Sequence, residues 1–321
     1  MPFPEFDPVL VQIGPFAVRW YALAYVAGII LGWRYGVGLT RNLKLWRGTR
    51  PTATPTQIDD FALWVTLGII LGGRLGYILF YMIPQDPGVL ARDPLALLRI
   101  WEGGMSFHGG FLGVCLAVVL YARRNAIDLV RLGDLTAPCV PFGLFFGRLA
   151  NFVNGELWGR STTVPWGIVF PRGGPSPRHP SQLYEAALEG VALFVILRLA
   201  THVSKLLPRK GTVSGLFLLF YGLFRVSLES VREPDVGMPA FPFGLTMGTL
   251  LSLPMILAGA ALILWSRRPE ALAPPAPAGE LEADASSAHP PEAVSDPFPA
   301  YDSEAADPFA PPRPDEPARP A

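Results

Sequence analysis

The chain has 321 residues, half of them hydrophobic and 16% charged, and its 26 basic side chains balance its 26 acidic ones. The balance hides two materials, because residues 269–321 carry eleven Asp/Glu against two Arg, leaving 24 basic and 15 acidic residues in the first 268. With two cysteines and its basic residues spread as loop flanks, the chain is neither a disulfide-built scaffold nor a protein with a nucleic-acid-binding patch.

Residues 1–268 alternate long apolar runs with Gly and short polar loops. Seven stretches approach the roughly 20 residues a helix needs to cross about 30 Å of hydrocarbon. They are 16–37, 61–82, 107–122, 135–153, 183–200, 213–228 and 243–265, the third and sixth being short enough to be partly re-entrant. The alternating strands of a membrane barrel are absent. Met1-Pro2-Phe3-Pro4-Glu5 lacks the basic region of a signal peptide. Arg41, Lys44, Arg47 and Arg50 follow the first stretch, Arg123, Arg124 and Arg131 the third, Arg198, Lys205, Arg209 and Lys210 the fifth, and Arg267 and Arg268 the seventh. Basic residues in short loops stay cytoplasmic, which puts the N-terminus outside and the C-terminus inside.

Residues 269–321, rich in Pro, Ala and acid, hold too few large apolar groups to offset the entropy of ordering. The expected architecture is an all-α polytopic membrane protein of about seven transmembrane helices over residues 1–268, with a disordered cytoplasmic tail over 269–321. Small-xxx-small pairs (Gly68/Gly72, Gly72/Gly76, Gly109/Gly113, Gly143/Gly147) point to close helix packing, and Cys115 and Cys139 read as packing thiols.

The polar chemistry is concentrated in a few places. Gly147-Arg148-Leu149-Ala150-Asn151-Phe152-Val153-Asn154-Gly155-Glu156-Leu157-Trp158-Gly159-Arg160 sets an arginine, two asparagines and a glutamate at the end of an apolar stretch. Ionisable groups there are functional candidates by default. Arg148, Asn151 and Gly155 share a helix face, where a guanidinium beside a small residue leaves room for a phosphate. The alternative is an arginine satisfied by Glu156 or by backbone carbonyls. Tyr221, Arg225, Glu229 and Arg232 form a second stripe, which is either a site or a self-neutralising Arg–Glu–Arg ladder. Arg74 repeats the pattern in Gly72-Gly73-Arg74-Leu75-Gly76-Tyr77. His108, flanked by glycines in Gly103 to Gly110, is placed to move a proton near neutral pH, and His179 opens His179-Pro180-Ser181-Gln182-Leu183-Tyr184-Glu185. His202 and His289 read as incidental. No rhomboid-type serine motif, zinc-protease motif, P-loop or metal cluster is found.

These blocks, with Pro4-Glu5-Phe6-Asp7-Pro8 and the run Arg225 to Asp235, resemble the bacterial prolipoprotein diacylglyceryl transferases over roughly residues 4–266. The 147–160 stretch fits that family's pattern G-R-x-[GA]-N-F-x-N-x-E-x-x-G. The resemblance implies transfer of the diacylglyceryl group of phosphatidylglycerol to a lipobox cysteine of a prolipoprotein, releasing glycerol phosphate, in the inner (plasma) membrane with the site toward the outer face. It implies no metal or nucleotide cofactor; the expected partners are phosphatidylglycerol, the lipobox peptide and membrane lipids, with no nucleic acid. Arg148 matches the lipid-binding arginine. His108, Tyr21, Asn151, Gly159, Tyr221 and Arg225 match positions important for activity, and Glu156, Glu229 and Arg232 supportive ones. The catalytic set is therefore His108, Arg225, Tyr21 and Tyr221, and the substrate-binding set is Arg148, Asn151, Asn154, Glu156, Gly159, Arg74 and His179. Ala22 and Thr249 depart from the family's Gly and Gln, and the loop from Arg160 to His179 is short. The competing readings are a transporter for an anionic solute, which should show an internal repeat, and a non-catalytic scaffold recruiting through the acidic tail.

Overall fold

The computed structural model describes residues 1–4, 6–7, 9–14, 16–99, 103–233 and 245–273. Residues 274–321 of the acidic tail and parts of two quoted motifs (residues 5, 8, 234 and 235) lie outside them; residues 269–273, expected to begin the tail, are described, and Ala271 is buried with its carbonyl accepting from the Lys210 amide at 2.9 Å. The chain opens with a hairpin, β1 (Val9–Ile13) and β2 (Phe16–Arg19), turning at Gly14 with φ +57°. The first apolar stretch therefore becomes helical only at Trp20: residues 16–19 pair with β1, which corrects the expected start at 16.

The helices follow in order. α1 is Trp20–Arg41 and α2 is Pro55–Tyr77, extended by a π-helical turn (Ile78–Met82) into α3 (Ile83–Gln85) and followed by the short α4 (Val89–Arg92). α5 is Phe107–Arg124, α6 Leu129–Thr136, α7 Val140–Val153 and α8 Ser181–Glu185. A π-helical stretch, Ala186–Ala192, joins α8 to α9 (Leu193–Arg198); α10 is Thr212–Leu228 and α11 Met247–Trp265. Among the described residues five helical runs are long and apolar enough to cross a membrane: 20–41, 55–85, 129–153, 181–203 and 247–265. The two apolar helices outside that set, α5 and α10, are the third and sixth stretches already read as short.

Local chemistry sets the ends. Thr54 and Gln57 form a reciprocal capping box at the start of α2, with Pro55 at its first position. The start of α10 is capped from a distance. Gly211 has no side chain to offer, and the buried Asp134 of α6 accepts instead from the Gly211 and Ser214 amides, at 2.5 and 2.8 Å. Asp134→Ala is expected to lower the unfolding temperature in detergent, at a cost of about 1–2 kcal/mol typical of a lost cap. An unchanged melt would show that the cap carries no stability.

Leu39, Trp46, Ile58, Leu135, Leu193, Leu197 and Val213 pack together as one buried apolar cluster. Along the flanks large apolar residues such as Leu63, Leu71 and Leu257 remain exposed. A helical bundle that satisfies its backbone internally and leaves apolar flanks bare fits a hydrocarbon solvent. The glycine pairs behave as packing surfaces where α2 meets α5: a Cβ on Gly76 would lie 2.5 Å from the Gly109 Cα, and one on Gly72 2.7 Å from the Gly113 Cα.

Candidate functional site

Arg148 sits in the last turns of α7, and two carboxylates from the 181–203 run face it. Its Nε lies 2.8 Å from Glu185 Oε2 and its Nη2 3.4 Å from Glu189 Oε2. Both carboxylates are 0% exposed, whereas the Arg148 side chain is 17% exposed. Two nitrogens of the guanidinium thus face carboxylates, and Nη1 makes no hydrogen bond among the described residues. Neither partner weighed from sequence, Glu156 or backbone carbonyls, is the one found. Glu185 also reaches Arg232 at 3.2 Å, tying the end of α10 to the same cluster. Arg225 pairs with Glu229 at 2.6 Å, one helical turn on, and the Glu229 carboxylate lies against Gly248 at the start of α11. The expected ladder is thus half present, since Arg232 joins Glu185. Tyr221 lies within electrostatic reach of Glu189, Arg148 and Arg225.

The rest of the 147–160 motif builds a helix stop. Gly155 adopts φ +61°. Its amide donates to the Phe152 carbonyl at 2.9 Å, while the Glu156 amide donates to the Asn151 carbonyl at 3.1 Å. This is the paired bonding of a Schellman cap, with glycine at the left-handed position. Asn151 and Asn154 both donate to Glu156 Oε1, at 2.9 and 3.4 Å, and the Glu156 carbonyl accepts from Gln182 Nε2 at 2.6 Å. Gly159 is threaded between two segments: its amide donates to the His179 carbonyl at 2.9 Å. A Cβ there would meet the Val231 carbonyl and lie 2.8 Å from His179 Cβ. His179 Nδ1 is 3.3 Å from the Tyr184 hydroxyl, which also accepts from the Trp166 indole at 2.6 Å.

Arg74 and His108 belong to a second region. Arg74 is buried and donates to the carbonyls of Leu97 (3.2 Å), Gly103 (2.7 Å), Gly104 (3.0 Å) and Ala96. Its guanidinium is occupied in pinning the segment that leads into α5, a placement unlike that of Arg148. Ser106 caps α5 by accepting from the Gly109 amide at 3.2 Å, and its own amide donates to the Gly73 carbonyl at 2.9 Å. His108 follows, exposed, beside Phe107. Among the described residues no hydrogen bond or ion pair joins it to the arginine cluster.

An apolar cleft of about 410 Å³ runs between α1, α2, α5 and α7. One end is lined by Tyr25, Ile69, Val114 and Gly147, the residue before Arg148; the other is closed by Ile58, Phe61 and Leu135. From Tyr25 to Gly36 the helix rises about 16 Å, the depth of one leaflet of a ~30 Å hydrocarbon layer. Tyr25, whose hydroxyl is 3.4 Å from that of Tyr21, lies within electrostatic reach of Arg148 and Glu156. Sequence reasoning missed Glu189 and Tyr25 as site residues and named Glu185 only as a motif end. Two glutamates four apart inside an apolar stretch carried the same signal that singled out the arginines. Among the described residues no group of three His, Cys, Asp or Glu side chains is placed to hold a metal.

Apolar helices around a leaflet-deep cleft, with buried charge gathered beside one end, define an integral membrane protein. The family model of prolipoprotein diacylglyceryl transferases matches residues 8–265. A phosphatidylglycerol–prolipoprotein diacylglyceryl transferase of Phenylobacterium zucineum is 60% identical over 288 residues, covering 85% of this chain and 98% of that protein. Proteins of the same name from Caulobacter vibrioides and Rhizobium leguminosarum are 58% and 52% identical, covering 87% and 85% of this chain and 99% and 96% of their own lengths. The chain belongs to the prolipoprotein diacylglyceryl transferase family.

Proposed function

We propose that this enzyme transfers the diacylglyceryl group of phosphatidylglycerol to the thiol of a lipobox cysteine in a prolipoprotein, the first step of lipoprotein maturation. It does so in the bacterial inner membrane, with its site toward the outer face. The observation that carries this reading is the half-paired Arg148, which follows Gly147 at one end of the apolar cleft. Glu185 and Glu189 hold the Nε and Nη2 side of its guanidinium, and Nη1 is left for an anion. A phospholipid has the matching shape: an acyl chain for the cleft and a phosphate for the arginine.

In the transfer the cysteine sulfur attacks the terminal glycerol carbon of the diacylglyceryl group. A carbon–sulfur bond forms, the bond from that carbon to the phosphate oxygen breaks, and glycerol phosphate leaves with the bonding electrons. A free thiol has a pKa of about 8.5, so a base accelerates formation of the thiolate. His108 takes that proton; its exposed ring has no competing hydrogen bond among the described residues, and it lies on α5 about 9 Å along the helix from the cleft-lining Val114. Arg148, with Arg225 behind it, stabilises the charge that grows on the departing phosphate. Tyr21 and Tyr221 border the reacting groups. Asn151, Asn154, Glu156 and Gly159 hold the loop that ends α7, His179 anchors it from the far side, and Arg74 fixes the approach to His108.

The test is transfer from radiolabelled phosphatidylglycerol to a lipobox peptide by detergent-purified protein, with a Cys→Ala peptide as control. Label on the cysteine peptide alone is the expected result. No transfer by folded protein in the presence of lipid would overturn the assignment.

A further inference from the structure

Glu189 lies in the π-helical stretch Ala186–Ala192, inside an apolar run, and is fully buried. π-Helical segments inside longer helices recur at functional sites. A carboxylate in such a place is kept only by counter-charges or hydrogen bonds, because the interior does not solvate it. Its Oε2 has one cationic neighbour in contact, Arg148 Nη2 at 3.4 Å, and its Oε1 has no hydrogen-bond partner among the described residues. Arg225 and Tyr221 lie within electrostatic reach of the same carboxylate. Glu185 is divided between Arg148 and Arg232, although its Oε2, 2.8 Å from Arg148 Nε, likewise makes no hydrogen bond among the described residues. Glu189 is therefore the anion set among Arg148, Arg225 and Tyr221.

We propose that Glu189 is a positioning residue for lipid binding: it holds the Nη2 side of Arg148 so that Nη1 faces the phosphate, and it offsets the repulsion between Arg148 and Arg225. The inference rests on the proposed function, in which Arg148 binds the phosphate. In a weakly polarisable interior two guanidinium groups repel strongly unless an anion stands between them. Without Glu189, Arg148 would turn fully onto Glu185 and away from Arg225, and its open edge would lose its aim. Glu189 itself, being fully buried, does not touch substrate.

The experiment compares wild type, Glu189→Gln, Glu189→Asp and Arg148→Lys in the full chain. Initial rates are measured against phosphatidylglycerol and, separately, against lipobox peptide. Glu189→Gln keeps the shape and removes the charge. It is expected to raise the KM for the lipid on the order of tenfold and to lower kcat with it, because Arg148 also faces the departing phosphate, with the peptide KM close to wild type. Glu189→Asp, which keeps the charge but shortens its reach, should fall between. A merely structural role would shift the lipid KM and the peptide KM alike, or lower only the amount of folded protein. A lipid KM in Glu189→Gln within about twofold of wild type, a resolvable shift, overturns the proposal. If Glu189→Gln does not fold, a wild-type lipid KM in Glu189→Asp overturns it equally. Transfer lost in Arg148→Lys but unchanged in both Glu189 variants would sink this inference alone; transfer retained in Arg148→Lys would remove Arg148 from phosphate binding and the inference with it, while absence of transfer in the wild type would sink the proposed function itself.

Discussion

Replacing Arg148 by lysine is expected to reduce diacylglyceryl transfer by about 10²–10³-fold, the loss seen when a charge-stabilising donor is removed from a reacting centre. The arginine makes two kinds of contact at once. Nε and Nη2 answer Glu185 and Glu189, and Nη1 is left over for a phosphate. A lysine ammonium keeps one positive charge, so the two buried carboxylates retain a counter-ion and the protein is expected to fold. It presents a compact point charge that cannot grip two carboxylates and an anion along separate edges. Arg148→Ala is the harsher change. It strands two fully buried carboxylates, a loss of about 3–5 kcal/mol for a broken buried pair, and confounds lost activity with lost structure. The informative comparison is Arg148→Lys against wild type, at matched melting temperature and with lipid saturating. Transfer within about threefold of wild type, far short of the predicted loss, would remove Arg148 from the reaction.

Gly72→Ile should abolish activity by a different route. α2 and α5 approach until backbone meets backbone: a Cβ on Gly72 would meet the Gly109 carbonyl and lie 2.7 Å from the Gly113 Cα, and one on Gly68 would lie 2.7 Å from the Gly113 carbonyl oxygen. A branched side chain there has to push α5 away, since no flexible group on either side can yield. The start of α5 is pinned to the same place by the Ser106 amide on the Gly73 carbonyl and by Arg74 on Gly103 and Gly104. His108 moves with it. Overpacking of this kind costs about 1–3 kcal/mol or more, so both a lower melting temperature and loss of transfer are expected. Gly38→Ala in α1 is the control. Its Cβ meets nothing within 4 Å, and alanine is the better helix former by about 0.5–1 kcal/mol. If Gly72→Ile melts and turns over like Gly38→Ala, the α2–α5 interlock is wrong.

These two glycines show where reading the chain ran out. Both lie in apolar helices, and Gly72 stood out through its spacing from Gly68 and Gly76 and as the first residue of the motif block around Arg74. Spacing says that a helix face is smooth; it does not say which partner comes close or how close. Arg74 makes the same point. It shares the setting of Arg148, an arginine after glycine near the end of an apolar stretch, yet its donors are spent on four backbone carbonyls. Asn151, Asn154 and Glu156 stood out as polar groups beside a membrane span, and in the folded protein they bond to one another and close α7.

What the sequence determined by itself was the kind of protein and the place of its chemistry. The apolar runs are long enough to demand a hydrocarbon solvent, and an arginine at the end of one marks a site, because transfer free energy is a property of each residue and its neighbours along the chain. The motif blocks identified the family for the same reason, being local. The tertiary structure decided which charges face one another. Arg148 answers Glu189, 41 residues away on another helix, and no spacing rule couples them. The partner of a buried charge is chosen only when packing brings helices together and excludes every other source of solvation, so it is settled by the fold as a whole.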